Sequence, residues 1–247
     1  MHLLNRLAIA FSLAFAASAA QAGEAEIKKT IETQFVGSKV QSVTKTPYSG
    51  LYEVVLEGAQ VAYVDEKVNY LFMGSIMDVK NQRNLTEERV QKLTAIKFDT
   101  LPLELAIKVV KGNGSRKIAV FSDADCPYCK KFEEELKNVN NITVYNFLYP
   151  IDSLHPQAGM KSKQIWCAPD KVKAWEDYML RGVLPKNDGN CDNPLAKTAE
   201  LGRKHNIQGT PAIVFSDGRR VPGMIPAPKL EQMLEAAGAT VSGKNGK

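Results

Sequence analysis

Four residues, Cys126-Pro127-Tyr128-Cys129, hold the most reactive chemistry in this chain. A cysteine thiolate attacks a disulfide to form a mixed disulfide, and a second thiol three residues on can resolve it. The pair follows an apolar run, Lys117 to Phe121, and precedes a helix-forming stretch, Lys130 to Leu136. A strand therefore delivers the cysteines to the first turn of a helix, where unpaired backbone N–H groups and the helix dipole favour negative charge. That placement lowers a cysteine pKa and yields a thiolate near neutral pH. Two acids, Asp123 and Asp125, crowd the pair. Asp125 reads as a helix cap, whereas a carboxylate so close raises a thiol pKa and opposes the dipole.

The other cysteines are Cys167 and Cys191. Four cysteines allow three pairings. The local pair 126–129 leaves 167–191, which closes a loop of about 25 residues and stabilises by roughly 3–4 kcal/mol if unstrained. This second pair reads as a structural disulfide; a second catalytic pair is the sharper alternative, although neither residue has a Cys-x-x-Cys partner. Zinc is the rival for Cys126 and Cys129, but structural zinc wants two such pairs or a pair with closely spaced histidines. His155 and His205 stand far apart in sequence, so no metal site is expected.

The amino terminus reads as an export signal. Arg6 precedes an apolar run from Leu7 to Ala20, and Ala20-Gln21-Ala22 has the small-x-small form cut by signal peptidase. The run is too short and too interrupted by serine for a membrane span, so residues 1–22 are expected to be removed and the protein to be soluble in an exported compartment. An even cysteine count suits that oxidising setting. The net charge of +5 falls by one without Arg6. Lys and Arg are interleaved with acids, so the basic face that nucleic acid requires is missing.

The elements that must position the cysteines follow from periodicity. Ile27, Ile31 and Phe35 recur every four residues in an opening helix, and short strands cover 51–56, 61–64 and 70–73. This unit, 23–83, contains no cysteine or histidine and is free to serve association. Asn84 with Glu87 forms a capping arrangement for a linker helix over 84–104, with Val90, Leu93 and Ile96 as a narrow apolar stripe. A catalytic unit spans 105–242. It runs strand 106–110, the turn Gly112-Asn113-Gly114, strand 117–122, helix from Cys126, strand 142–147, a long helical region 157–181, helix 194–205, strand 212–215, strand 219–221 and helix 228–237. In the long region Trp166, Trp175, Tyr178 and Met179 read as core. The order is thioredoxin-like with a helical insertion, giving a mixed α+β and α/β class behind a strand-rich α+β unit. The Lys-rich tail, 243–247, is expected to be disordered.

Phe121-Ser122-Asp123-Ala124-Asp125-Cys126-Pro127-Tyr128-Cys129, Ile165-Trp166-Cys167, Gly209-Thr210-Pro211-Ala212 and Val221-Pro222-Gly223, together with the signal peptide and strand-rich first unit, resemble the DsbC/DsbG family of periplasmic disulfide isomerases. The resemblance spans essentially the whole mature chain. It implies a V-shaped homodimer in the periplasm, joined through edge strands of the first unit, with Gly74 to Val79 as the expected seam. The alternative for that segment is an internal strand of the same sheet. It implies Cys126 as nucleophile, Cys129 as resolving thiol, and Cys167 with Cys191 as a structural disulfide. Pro211 aligns with a cis-proline facing the active site, and Thr210, Pro127 and Tyr128 join it in binding substrate. The clients would be misoxidised exported proteins, with a membrane reductase of the DsbD type restoring the dithiol and no cofactor needed. Two departures pull apart: Pro127 gives the Cys-Pro-Tyr-Cys of DsbG-type members, whereas the second cysteine pair is a DsbC-type feature. The match leans to DsbC, with a DsbG-like reductase of oxidised single cysteines, a DsbA-like oxidase and a holdase chaperone as rivals.

Overall fold

A computed structural model of the chain describes residues 23–244. The expected signal peptide, 1–22, lies outside the described residues. The chain divides into two compact units with the boundary between Leu93 and Thr94.

In the first unit residues 23–34 form helix α1. Ile27 and Ile31 bury their side chains with Val40, Tyr52, Val54 and Val64. Phe35, the third residue of the expected stripe, is 44% exposed. The helix ends before it, and Gly37 at φ 94° turns the chain away. Strands β1 (Val40–Lys45), β2 (Tyr52–Leu56), β3 (Gln60–Val64) and β4 (Leu71–Phe72) form an antiparallel sheet in that order. Strands β5 (Met77–Asp78) and β6 (Arg83–Asn84) pair with each other in a separate two-stranded sheet. An internal strand of the four-stranded sheet is therefore excluded for Gly74 to Val79. The short β4 leaves a cluster of apolar side chains in solvent, Tyr70, Phe72 and Met73, with Met77 and Val79 following.

Helix α2 covers Leu85–Thr94, and the Glu87 N–H donates to Asn84 Oδ1 at 3.0 Å, as the capping pattern requires. The helix is shorter than the expected 84–104. Phe98–Thr100 and Leu103–Leu105 form short 3-10 turns instead. Ile96, assigned by its spacing to the helix stripe, is buried in the second unit with Phe98 and Leu101, and its N–H donates to the Gly218 carbonyl. Burial of three large apolar side chains outweighs continuation of an exposed helix, and Pro102 would end one in any case.

The second unit is built on a mixed sheet in the order β11-β10-β8-β9-β7. Its strands are β7 (Ile107–Lys111), β8 (Arg116–Ser122), β9 (Ile142–Leu148), β10 (Ala212–Phe215) and β11 (Arg220–Pro222). Only β8 and β9 run parallel; every other pairing is antiparallel. Strand β8 is buried on both faces, which is why it reads as an unbroken apolar run. Ile118 and Val120 face one core with Phe132, Trp175 and Leu230, while Ala119 and Phe121 face the other with Phe98, Phe147 and Ile207.

Helix α3 (Pro127–Leu136) follows β8 directly. The long helical region between β9 and β10 is broken into α4 (Ala158–Trp166) and α5 (Lys171–Arg181), followed by α6 (Leu195–Lys204). Pro169 disfavours helix at the residue before it, and the Asp170 carboxylate restarts the helix by accepting from the Lys173 N–H at 2.9 Å. Trp175, Tyr178 and Met179 are core as expected, whereas Trp166 is only partly buried. Helix α7 runs Ala227–Lys244, longer than the expected 228–237. It takes in residues 243 and 244 of the tail expected to be disordered; 245–247 lie outside the described residues. Adding a residue to a formed helix costs far less than starting one.

Candidate active site

The helix begins where the chemistry needs it to. Cys126 is the N-cap of α3 with extended backbone, and Pro127 occupies the first helical position, where its missing N–H is no loss and its φ is already helical. Asp125 is thus not the cap, and its carboxylate bonds elsewhere. Both thiols are free and both residues are buried, at 4% and 1% exposure, while Tyr128 between them is 63% exposed. The Cys126 Sγ lies 3.3 Å from the carbonyl oxygen of Thr210. The Thr210–Pro211 peptide is cis, and the Pro211 carbonyl accepts from the Gly223 N–H at 2.7 Å. The fold therefore brings together Cys126, Pro127, Tyr128, Cys129, Thr210 and Pro211, although Thr210 lies 84 residues from Cys126.

The two thiols are electrostatically unequal. A hydrogen bond from the Cys129 thiol lowers the Cys126 pKa to about 5, helped by the Thr210 side chain and by the backbone N–H groups of Cys129 and Tyr128, against the opposing effect of burial. The neutral thiol closes no capping bond with the helix, so these N–H groups act by favouring the charged sulfur. Cys129 moves the other way: burial, then its bond to Cys126, push its thiol well above the ordinary range. Cys126 is thus the more readily ionised of the two thiols and Cys129 the less.

The surrounding acids are each engaged. Asp123 is fully buried, and its carboxylate accepts from the Asp125 N–H at 2.8 Å, the Ile151 N–H at 2.7 Å and His155 Nδ1 at 3.0 Å. His155, isolated in sequence, thus closes the loop after β9 onto the end of β8. Asp125 accepts from Lys161 Nζ and from the Tyr178 hydroxyl. On the buried side of α3, burial pushes the Glu133 carboxyl up to about 7 despite the Trp175 indole N–H that donates to it at 2.9 Å.

None of His155, Lys161, Tyr178 and Glu133 stands out as a site residue by motif. Glu133 alone left a signal: with Cys129, Phe132 and Leu136 it makes an i, i+3, i+4, i+7 stripe, so a carboxylate occupies a core position. The second cysteine pair lies elsewhere in the insertion. Cys167, at the end of α4, is disulfide-bonded to Cys191, with Cα atoms 5.7 Å apart.

Unequal thiols at a helix N-terminus of a thioredoxin-like domain define a thiol–disulfide exchange protein, and the comparisons with known proteins narrow the class. A thioredoxin-like domain matches residues 103–238 and a disulfide bond isomerase protein N-terminal domain matches residues 18–87. The probable thiol:disulfide interchange protein DsbC of Bordetella parapertussis is 45% identical over 208 residues, covering 84% of this chain and 73% of the relative. The thiol:disulfide interchange protein DsbC of Escherichia coli K12 is 31% identical over 230 residues, covering 91% of this chain and 93% of the relative. A crystal structure of a disulfide interchange protein from Neisseria gonorrhoeae superposes with a TM-score of 0.54 at 46% identity, covering 56% of this chain and 98% of that one. The chain belongs to the DsbC family of thiol:disulfide interchange enzymes.

Proposed function

We propose that the protein is a periplasmic disulfide isomerase in which Cys126 attacks non-native disulfides of exported proteins. The observation that carries this reading is the free Cys126 thiol at the start of α3, its Sγ 3.3 Å from the carbonyl oxygen of Thr210 before the cis Pro211, where its pKa is lowered. The Cys126 thiolate forms a bond to one sulfur of the substrate disulfide, and the other sulfur leaves as a thiolate. A different substrate thiolate then attacks the first sulfur and expels Cys126, so a new disulfide forms with no net change in oxidation state. A low leaving-group pKa speeds that expulsion. If no substrate thiol arrives, Cys129 loses its proton and attacks Cys126. Substrate then departs with two added electrons and the Cys126–Cys129 disulfide remains. A dithiol reductant, in this family's setting a membrane reductase of the DsbD type, must return those electrons. The raised Cys129 pKa delays the escape step and favours rearrangement over reduction.

Thr210, Pro211, Pro127 and the exposed Tyr128 form the surface that an extended substrate would meet. The first unit serves homodimerisation. Its exposed apolar residues Tyr70, Phe72, Met73, Met77 and Val79 are an association surface of the kind that short edge strands offer. The Cys167–Cys191 disulfide is structural.

Recovery of activity from a scrambled multi-disulfide substrate tests the reading. Wild type restores activity, Cys126→Ser abolishes it, and Cys129→Ser retains rearrangement while accumulating mixed disulfide. Absence of recovery by a folded wild type with a reactive thiol overturns the isomerase assignment and moves it to a reductase of oxidised single cysteines. Suppression of aggregation that survives Cys126→Ser identifies a chaperone activity separate from the thiol.

A further inference from the structure

Asp125 directly precedes Cys126, and its carboxylate is held by helices from the insertion. Lys161 Nζ, on α4, donates to both oxygens at 2.7 and 2.8 Å. The Tyr178 hydroxyl, on α5, donates to Oδ1 at 2.6 Å. Lys130, on α3, places its Nζ 4.9 Å from the Tyr178 ring centroid, and Lys161 lies 5.6 Å from the same ring. Burial pushes the Asp125 carboxyl up, but the bonds from Lys161 and Tyr178 outweigh it and hold the group below the usual carboxylate range. Asp125 is therefore an ion-paired anion one residue before a thiol that must itself become an anion, and like charges on neighbouring residues disfavour each other.

Given the assignment of Cys126 as the attacking thiolate, we infer that Lys161 and Tyr178 are positioning residues that close the Asp125 charge into an ion pair, cancelling its opposition to the thiolate. The other groups around Cys126 do not substitute for this. The Cys129 thiol and the Thr210 hydroxyl act on the sulfur directly, and the Asp123 carboxylate is closed by two backbone N–H groups and His155. The inference gives the helical insertion a chemical task. Its first two helices supply the partners that let an acid stand beside the nucleophile.

The test is the pH dependence of Cys126 alkylation by iodoacetamide in the reduced full-length protein, followed site by site by mass spectrometry. Lys161→Met raises the midpoint by on the order of half a pH unit, because it removes the cation paired with Asp125 and leaves only the Tyr178 hydroxyl on the carboxylate and the more distant Lys130 charge. Tyr178→Phe gives a smaller rise, and Lys161→Arg stays with wild type. Asp125→Asn lowers the midpoint, and the double variant Lys161→Met/Asp125→Asn returns to wild type. An unchanged midpoint in Lys161→Met overturns the inference, as does a rise that persists in the double variant, since the lysine would then act by packing alone. If Lys161→Met fails to fold, Asp125→Asn decides: an unmoved midpoint there overturns it equally. A wild-type midpoint in the ordinary thiol range would instead overturn the thiolate assignment, whatever the variants do.

Discussion

The two cysteine pairs share a residue type and a domain and nothing else in their chemistry. Cys126 and Cys129 are three residues apart, buried and free, and their environments push the two thiols in opposite directions. Cys167 and Cys191 are 24 residues apart, bonded, and partly open to solvent. One pair lies at the start of a helix against the Thr210–Pro211 loop; the other fastens the end of α4 to the loop before α6. Reactivity here is a property of placement. The Cys126 sulfur, unbonded at the first turn of a helix, is shifted toward the anion, whereas the Cys167 sulfur, bonded to Cys191, does not titrate at all. The pairs are nonetheless connected, because α4 carries Lys161, which holds Asp125 beside Cys126, and Cys167 caps the end of the same helix.

The contrast is broken most severely by removing the staple. Cys167→Ser/Cys191→Ser should lose about 3 kcal/mol of stability, as expected for a loop of this length, measured by urea denaturation of the reduced active-site form. Disulfide exchange under native conditions should stay within about threefold of wild type, since the loss falls on folding and not on attack. A far larger loss of exchange in a folded variant would make the second pair a participant in the reaction.

The buried side of the reactive helix offers the next test. The Glu133 carboxyl, raised to about 7 by burial, binds its proton more tightly when folded than when unfolded. Its contribution is fully present below the unfolded pKa of about 4.3 and is lost as pH rises through the folded value. Glu133→Gln, which keeps an acceptor for the Trp175 N–H, should therefore be more stable than wild type by about 3 kcal/mol at pH 8 and show no such advantage at pH 4. Chemical denaturation at the two pH values measures it, and equal gains at both would assign the effect to packing.

A smaller effect separates the members of the reactive pair. With the Cys126 thiol at about 5, its alkylation rate should fall about tenfold from pH 7 to pH 4 as the thiolate is protonated. Cys129, whose thiol is pushed up by burial, should remain almost unreactive across that range. Stopped-flow alkylation with peptide mapping distinguishes them, and comparable reactivity would erase the inequality on which the division of roles depends.

Much of this organisation was legible in the chain. The apolar run before Cys126 and the helix-forming stretch after Cys129 place the thiols at a helix N-terminus, and the structure has them there. The Asn84 cap, the strands around Gly58 and the order of elements from β7 to α7 follow from local pattern. Extent was less legible. Ile96 fits a helical stripe and a buried core equally well, and only the second unit's core, with the Gly218 carbonyl, decides between them. Asp125 fits a cap by sequence position, yet its oxygens are taken by residues 36 and 53 positions away.

What the sequence by itself determined is the reactive element: a strand, two thiols with Pro127 between them, and a helix, all encoded by residues that are neighbours in the chain. Hydrophobic periodicity and helix-start preferences act over a few residues, so they can be read without knowing the fold. What only the tertiary structure decided is the set of charges and donors around that element. Thr210 against Cys126, Lys161 and Tyr178 on Asp125, His155 on Asp123 and Trp175 on Glu133 all join residues at least 32 positions apart. A pKa depends on burial and on charges within a few ångströms, and packing alone sets those distances.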